Sequence, residues 1–512
     1  MKELTRKHFI LLHILLIPLF FITHNLFDFY LLTDFNGIKS EAILWLILPI
    51  ILITSFYFLF RNVFKAGLLT SAILLVIFFA PSLMAFAKST KWLFYLSKYS
   101  VVLAVVGFLL VTLFIWLRKT KSNHLRVHQF LFYCFLILLL YEPIYWLTGG
   151  KQKIINKNSL ILPAVPVLRN ASLEPDSLPD IFYLLFDELA SSDVYNQLFK
   201  FDNSVNDSIL QSIGFKVVDQ PFGASNHTHT AMSSVLNMSY LPFELKQQIG
   251  FREMHALVAN IQATPLVPYL ERNGYRILNA GVFDLGNHQK LKSPDNWTLR
   301  SANEMITDQT LYQNMWNHLG WMIESKLPIA KSSDKKLLSD TALVNEAMAI
   351  IKNALADTTS KHKFLYAHFY LPHGPVKYDS NGKVMPWKSY ADYRLQNENS
   401  VPYLSQVKYT FKLLIQLCKQ IQQQNKRPAV IIVQGDHGTR QYDTSVFSKD
   451  LSFQPFSAYY FPDGDYSSIP DSLYMPNTFR LVLNKYFQQQ LPLLQKRQYV
   501  LEAEKDELLF NR

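Results

Sequence analysis

Apolar residues run almost without interruption through five stretches of the first 150 positions, at 8–31, 42–60, 66–86, 99–117 and 127–147. Each is about 20 residues long, the length a helix needs to cross a hydrocarbon core. A soluble core helix keeps a polar stripe at helical spacing, whereas 42–60 and 101–117 are apolar on every face. The pattern therefore predicts five transmembrane helices. Lys2, Arg6, Lys7, Arg61, Lys65, Arg118, Lys119, Lys121 and Arg126 fall in one set of connections, against Lys39, Lys88, Lys91 and Lys98 in the other. The richer set marks the cytoplasmic side, so five crossings of a plasma or inner membrane carry everything after Leu147 to the periplasmic or extracellular side. The first helix is too long, and too closely followed by others, for a cleaved signal peptide. His24, Asp28 and Glu142 lie near span ends, within reach of the interface.

Past Gly149 the pattern changes. Residues 149–179 are polar, carry Pro163, Pro166, Pro175 and Pro179, and read as a linker. Short apolar runs then alternate with longer amphipathic stretches, the pattern of strands and helices around a parallel sheet. The clearest strands are 181–186, 364–369 and 429–433, with weaker ones near Phe215, Arg276 and Ala458. Their continuous apolarity suits strands covered on both faces. Helices are expected over 404–424 and 477–487, with a surface helix or tail over 491–512. The expected organisation is a five-helix membrane domain (1–148), the linker (149–179), an α/β three-layer domain with a mainly parallel sheet (180–490) and the C-terminal segment.

Composition narrows the partners. The chain is 49% hydrophobic and 17% charged with a net charge of +11, but Lys and Arg number 13 against 5 Asp and Glu in the first 150 residues and 37 against 34 beyond them. The excess follows membrane topology and leaves no basic field for wrapping nucleic acid, so no nucleic-acid partner is expected. With only Cys134 and Cys418, neither a disulfide framework nor a cysteine-rich zinc module can be built.

In an open α/β sheet ligands bind beyond the carboxyl ends of the strands. Strand 181–186 runs into Asp187 and Glu188; strand 429–433 is followed by Gln434, Gly435, Asp436, His437 and Gly438; strand 364–369 contains His368 and leads to His373 between Pro372 and Gly374. Two carboxylates and at least one imidazole at separate strand ends, which the fold would bring together, are the donor set of a divalent-cation site. A further loop, 223–226, leads through His227 into Thr228 and a helix over 231–238. A hydroxyl at a helix start meets the positive end of the macrodipole and free N–H groups, which favour a phosphate. A bound cation would lower its pKa. Taken singly, Asp187 and Thr228 also read as helix N-caps and His373 as a turn residue. Their joint occurrence at strand ends and a helix start of one domain favours the metal site.

The blocks 179–189, 228–233 and 434–438 resemble the sulfatase branch of the alkaline phosphatase superfamily. They are most similar to its membrane-anchored phosphotransferases, the lipoteichoic acid synthases and lipid A phosphoethanolamine transferases, which also join five transmembrane helices to an outer catalytic domain. The run Thr228, His229, Thr230, Ala231, Met232, Ser233 resembles the transferases' Thr-x-Thr-Ala-x-Ser, with Tyr240 and Leu241 at the familiar distance. The resemblance implies Thr228 as nucleophile and metal ligand, Asp187, Asp436 and His437 as metal ligands, and His373 as the histidine that contacts the phosphoryl group or leaving oxygen. Glu188 and His368 are possible additional site residues and Thr230 is the fallback nucleophile. It also implies one or more divalent ions (zinc or manganese), a membrane phospholipid as donor, and an envelope glycan or lipid as acceptor of a phosphoethanolamine or phosphoglycerol group through a threonine adduct. The sulfatase Cys-x-Pro-x-Arg signature is absent, and the single outer cysteine cannot form the disulfides common in the phosphoethanolamine transferases. The pair Asp187–Glu188 is nearer the sulfatase Asp-Asp than the transferases' Glu-Ser or Glu-Thr. A phosphodiesterase or phosphatase on the same scaffold, or a non-catalytic envelope protein, are the alternative expectations.

Overall fold

The computed structural model describes residues 10–30, 35–90, 92–151, 153–154, 165–169, 178–249, 251–291, 306–324, 332–357, 361–374, 376–385, 400–441 and 446–503. The chain divides into two compact units, one of Met1–Leu160 with Arg300–Ile329 and one of Ile161–Leu299 with Ala330–Arg512.

The first unit is helical, with helices His13–Asp28, Phe35–Phe60, Val63–Ser89, Tyr99–Lys119 and Leu125–Tyr145 at the five expected places. The last four are long and apolar enough to cross a membrane. The first stretch differs from expectation: its described helix has 16 residues, preceded by a short 3-10 turn at Ile10–Leu12, so among the described residues four helices rather than five meet the length of a span. Leu44, Phe58, Leu83, Phe108 and Ile137 project outward, as lipid-facing residues do. Inside, Phe21 packs against Trp45 and Phe78. Two polar pairs lie between these helices: His24 Nδ1 meets Glu142 Oε1 at 2.6 Å and His13 Nε2 meets Ser71 Oγ at 2.9 Å.

One segment of this unit comes from far along the chain. Helix Leu311–Glu324 lies beside Val63–Ser89, with Leu311 packed on Ala80 and Met84, and the Tyr99 hydroxyl donates to both carbonyl oxygens of Asn314. Nothing in the apolar spacing of residues 300–329 marked them as partners of the membrane helices.

The second unit is built on a six-stranded sheet of order β2-β8-β7-β1-β6-β5, formed by β1 (Asp180–Phe186), β2 (Lys216–Val217), β5 (Arg276–Ala280), β6 (Lys363–Phe369), β7 (Ala429–Gly435) and β8 (Ser457–Tyr460). The four strands β7-β1-β6-β5 are parallel, and β8 and β2 add antiparallel partners at one edge. Every residue of β1, β6 and β7 is buried. Side chains of a strand alternate between faces, and β1 supplies two cores accordingly. Phe182, Leu184 and Phe186 meet helices Ser192–Phe199, Ser332–Ala356 and Ser400–Gln424; Ile181, Tyr183 and Leu185 meet helices Thr228–Asn237, Leu266–Arg272 and Thr478–Tyr486. The result is the expected three layers.

Two small parallel pairs complete the unit, β3 (Gln220–Phe222) with β9 (Ser472–Tyr474) and β4 (Lys246–Ile249) with β10 (Val500–Ala503). The latter corrects the C-terminal expectation. Residues 491–499 hold no helix; they run across the unit to β10, with Lys496 over the Phe222 ring and Arg497 over Tyr240, while 504–512 lie outside the described residues. The mixture of charge and leucine that suggested a surface helix serves a strap whose cations stack on aromatic faces.

Leu184 sits wholly buried at the centre of the middle strand. Leu184→Ala should destabilise the second unit by about 2–5 kcal/mol, read as a lower denaturant midpoint of the full chain in detergent. A loss under about 1 kcal/mol would show that this face of β1 is not the packed core described.

Candidate metal centre

The register of the three central strands fixes the site. Phe186 of β1 pairs with Phe369 of β6 on one side and Gly435 of β7 on the other, and Leu185 pairs with His368. Asp187 and Asp436 are each the first residue past adjacent parallel strands, about 5 Å apart in such a sheet, and His368 lies two residues back in register on the third strand, where the alternation turns its side chain to the same face. One ligand atom from each of Asp187, His368 and Asp436 lies within 4.8 Å of the others. His437 joins them, its Nε2 3.4 Å from Asp436 Oδ2 and 3.8 Å from Asp187 Oδ1, while His368 Nε2 is 3.9 Å from Asp187 Oδ2.

Backbone geometry makes this convergence possible. The Asp187 N–H donates to the Phe369 carbonyl, and its own carbonyl accepts from His373 N–H. A side chain at Gly435 would collide with the Leu189 carbonyl, and one at Gly438 with the Leu451 carbonyl. The chain can pass these points only without a Cβ, which explains the glycines flanking Asp436 and His437. Glu188 adopts a left-handed backbone (φ 60°), and the turn separates the two acids. Asp187 stays with the cluster, whereas Glu188 accepts from Arg440 Nε at 2.7 Å and from Gln441 Nε2 at 3.0 Å. Its N–H binds Asp436 Oδ1 at 3.0 Å, a bond that orients the second aspartate.

The donor atoms fit a divalent cation. Asp187 Oδ1, Asp436 Oδ2 and His368 Nε2 are buried polar atoms that find no hydrogen-bond partner among the described residues, all at the cluster. Such atoms cost free energy unless something binds them, and an ion satisfies all three together. His437 Nδ1–H donates to the Gly438 carbonyl at 2.7 Å, which leaves the Nε2 lone pair for a ligand. His368 Nδ1 meets the Tyr366 hydroxyl at 3.0 Å, likewise turning Nε2 inward. Two carboxylates and two imidazoles suit zinc or manganese.

Electrostatics point the same way. Burial, then the neighbouring Asp436 carboxylate, pushes the Asp187 carboxyl well above its usual range. Burial acts upward on Asp436 too, but the His437 and His368 imidazoles outweigh it and hold that group down. Burial pushes His368 down to about 4 and lowers His437, so both rings are neutral at pH 7, the form that could ligate a metal. For Glu188 burial is overcome by the Arg440 guanidinium, which holds the carboxyl down to about 2.

Thr228 begins the helix Thr228–Asn237 beside the cluster, its hydroxyl 3.4 Å from His437 Nε2. That helix covers the sheet face on which His368 and Tyr366 stand, through Met232, Val235 and Leu236. Its far end is capped by Arg480, which donates twice to the Met238 carbonyl. Thr230, two residues on, is buried and turned away: its hydroxyl donates to the His227 carbonyl at 2.7 Å and bonds Ser225 Oγ. His373 is half-buried at the rim, its Nδ1 bonded to the Gly374 carbonyl and its Nε2 3.2 Å from an Arg440 amino group.

Two residues escaped the sequence reading. Arg440, four positions after Asp436, reaches Glu188, His227 and His373 together. Gln406, buried on the helix Ser400–Gln424, donates to the Pro372 and His373 carbonyls and accepts from the Lys377 and Tyr378 N–H groups, holding the loop that carries His373. The spacing Asp-His-Gly-x-Arg could have flagged Arg440; a glutamine on an amphipathic helix gives no such signal.

The family model described as Sulfatase matches residues 216–479, more than half of the chain. No curated protein matches the sequence. Solved structures that match include the C-terminal periplasmic domain of EptC from Escherichia coli, at 12% identity and TM-score 0.38, over 63% of this chain and 86% of that one. The periplasmic domain of the phosphoethanolamine transferase EptC from Campylobacter jejuni matches at 14% and 0.38, over 64% and 96%. The integral membrane lipooligosaccharide phosphoethanolamine transferase A from Neisseria meningitidis matches at 13% and 0.37, over 92% and 87%.

The depressed imidazoles set a pH window. A ring protonates, and ceases to be a ligand, only below its own pKa, which for His368 is about 4 rather than the 6.5 of a free histidine. Zinc loaded at neutral pH should therefore stay bound to the full chain down to about pH 5 and be lost as the pH falls through about 4, by metal analysis after gel filtration. Loss beginning near pH 6.5 would contradict the buried, neutral imidazoles.

Proposed function

The chain belongs to the sulfatase family of enzymes, and on that premise we propose that it is a membrane-anchored phosphotransferase whose nucleophile is Thr228. The observation that carries this reading is the placement of a helix-start hydroxyl 3.4 Å from His437 Nε2, beside the orphaned oxygens of Asp187 and Asp436. A divalent ion held by Asp187, Asp436, His437 and His368 would lower the pKa of that hydroxyl and offset charge on the phosphoryl oxygens.

The reaction we assign has two halves. Thr228 Oγ1 attacks the phosphorus of a phosphodiester head group; the new O–P bond forms as the bond to the lipid alcohol breaks, and the proton lost by Thr228 goes to the departing alcohol. An acceptor hydroxyl then attacks the phosphothreonine, gives up its proton and restores the threonine. His373 serves this proton traffic: burial lowers it to about 4, so its Nε2 is an unprotonated acceptor at pH 7. The N–H groups at the helix start face the phosphoryl group.

Four helices long and apolar enough to cross a membrane support a phospholipid donor, because tethering raises the effective concentration of a lipid substrate. The catalytic unit would stand on the periplasmic or extracellular face and pass a phosphoethanolamine or phosphoglycerol group to an envelope glycan or lipid.

Incubation of the full chain with total phospholipid, followed by peptide mass spectrometry, should place the transferred group on Thr228. Adding acceptor alcohols should then discharge it faster than water alone; equal rates would make the enzyme a hydrolase. Thr228→Ala should abolish the adduct and lower turnover by at least ~10³-fold while metal content is kept, since the nucleophile acts only in the chemical step. Turnover retained in that variant would refute the assignment.

A further inference from the structure

Arg440 is bound in an unusual way for a half-buried cation. Its Nε–H donates to Glu188 Oε1 at 2.7 Å, so one ion pair is made through a single atom. The two amino groups do not complete a forked pair with that carboxylate, the geometry arginine favours. Each goes instead to an imidazole: Nη1 to His227 Nδ1 and Nη2 to His373 Nε2, both at 3.2 Å. A guanidinium only donates, so both ring nitrogens are acceptors and both rings are neutral here. For His373 the second nitrogen agrees, since Nδ1–H is spent on the Gly374 carbonyl.

Only three of the five guanidinium N–H donors are used by the described residues. The side chain is 28% exposed, whereas Glu188 beneath it is 1% exposed. The carboxylate thus holds the guanidinium from below, with both its oxygens spent on Arg440 and Gln441, and the open side of the fork faces the rim formed by His227 and His373. His227 is the residue immediately before Thr228, so the fork is bound to the loop that leads into the helix start. Two long donor bonds to neutral rings are weak, and an anion can replace them at little cost.

Resting on the reading of Thr228 above, we propose that Arg440 is the receptor for a non-bridging phosphoryl oxygen, held ready by Glu188, and that the anion takes the two amino groups from His227 and His373. Glu188 then acts as a positioning residue for the arginine rather than as a metal ligand. The exchange frees His373 Nε2 when the anion arrives, so proton traffic is confined to the occupied site.

Binding of inorganic phosphate to the zinc-loaded full chain, measured by calorimetry in detergent, tests this without turnover. Arg440→Gln should bind phosphate about 10- to 100-fold more weakly than the wild type, the effect of losing hydrogen bonds to a charged group. Arg440→Lys should fall between them, keeping the charge but not the planar fork. Glu188→Gln should also weaken phosphate binding, though less than Arg440→Gln, with zinc content unchanged. Phosphate binding unchanged in Arg440→Gln overturns the proposal. Should that variant lose its zinc, Arg440→Lys decides: wild-type affinity there overturns it, and an intermediate loss upholds it. The same titration in Thr228→Ala keeps the two assignments apart, because phosphate binding there should survive whether or not Thr228 proves to be the nucleophile.

Discussion

Asp187 and Asp436 are two buried carboxylates at the ends of adjacent parallel strands, and their closeness is imposed by the sheet rather than chosen by the side chains. Taking one such charge out of water is costly, and two of the same sign repel strongly in a poorly screened interior. The pair is tolerable only with a proton held between the groups or a cation bound to them. That constraint shapes the surroundings: His437 presents a lone pair rather than a proton, His368 turns its Nε2 to the cluster, and Glu188, the third acid, is turned out of it and neutralised by Arg440.

The same constraint explains why tight backbone and unusual conformation gather here. Gly435 and Gly438 let the chain bend Asp436 and His437 inward beside the carbonyls of Leu189 and Leu451. Glu188 accepts a left-handed backbone, costing of order 1 kcal/mol, so that its N–H can fix Asp436 while its side chain serves the arginine. Beneath the site Gln434 ties Ser457, Tyr459 and Thr478 together, and the stacked rings of Phe186 and Phe369 close the other face. A site framed by strand ends and a helix start is more rigid than one made of loops alone.

Much of this was legible in the amino-acid sequence, and for physical reasons. Strands buried on both faces appear as continuous apolar runs, so β1, β6 and β7 could be placed, and with them the residues at their carboxyl ends. What could not be read depends on side-chain direction or distant contacts. Asp187 and Glu188 look equivalent as neighbours in a sequence, and only the φ of 60° at Glu188 separates them. Thr230 repeats the chemistry of Thr228 but points at Ser225. The partners of Leu311, the rings under Lys496 and Arg497, and the strand that pairs with β10 lie more than 200 residues away, so local periodicity says nothing of them.

The two units are helices long and apolar enough to cross a membrane, and a sulfatase-family domain that gathers its charged chemistry at one end of a sheet. The account's centre is one cation shared by two carboxylates and two imidazoles. X-ray absorption at the zinc edge of the purified, zinc-loaded chain measures that arrangement most directly. The account predicts an oxygen- and nitrogen-only environment with the multiple-scattering signature of two imidazole rings, reduced to one ring in His368→Ala. A spectrum with no imidazole signature, or one unchanged by that substitution, would contradict it.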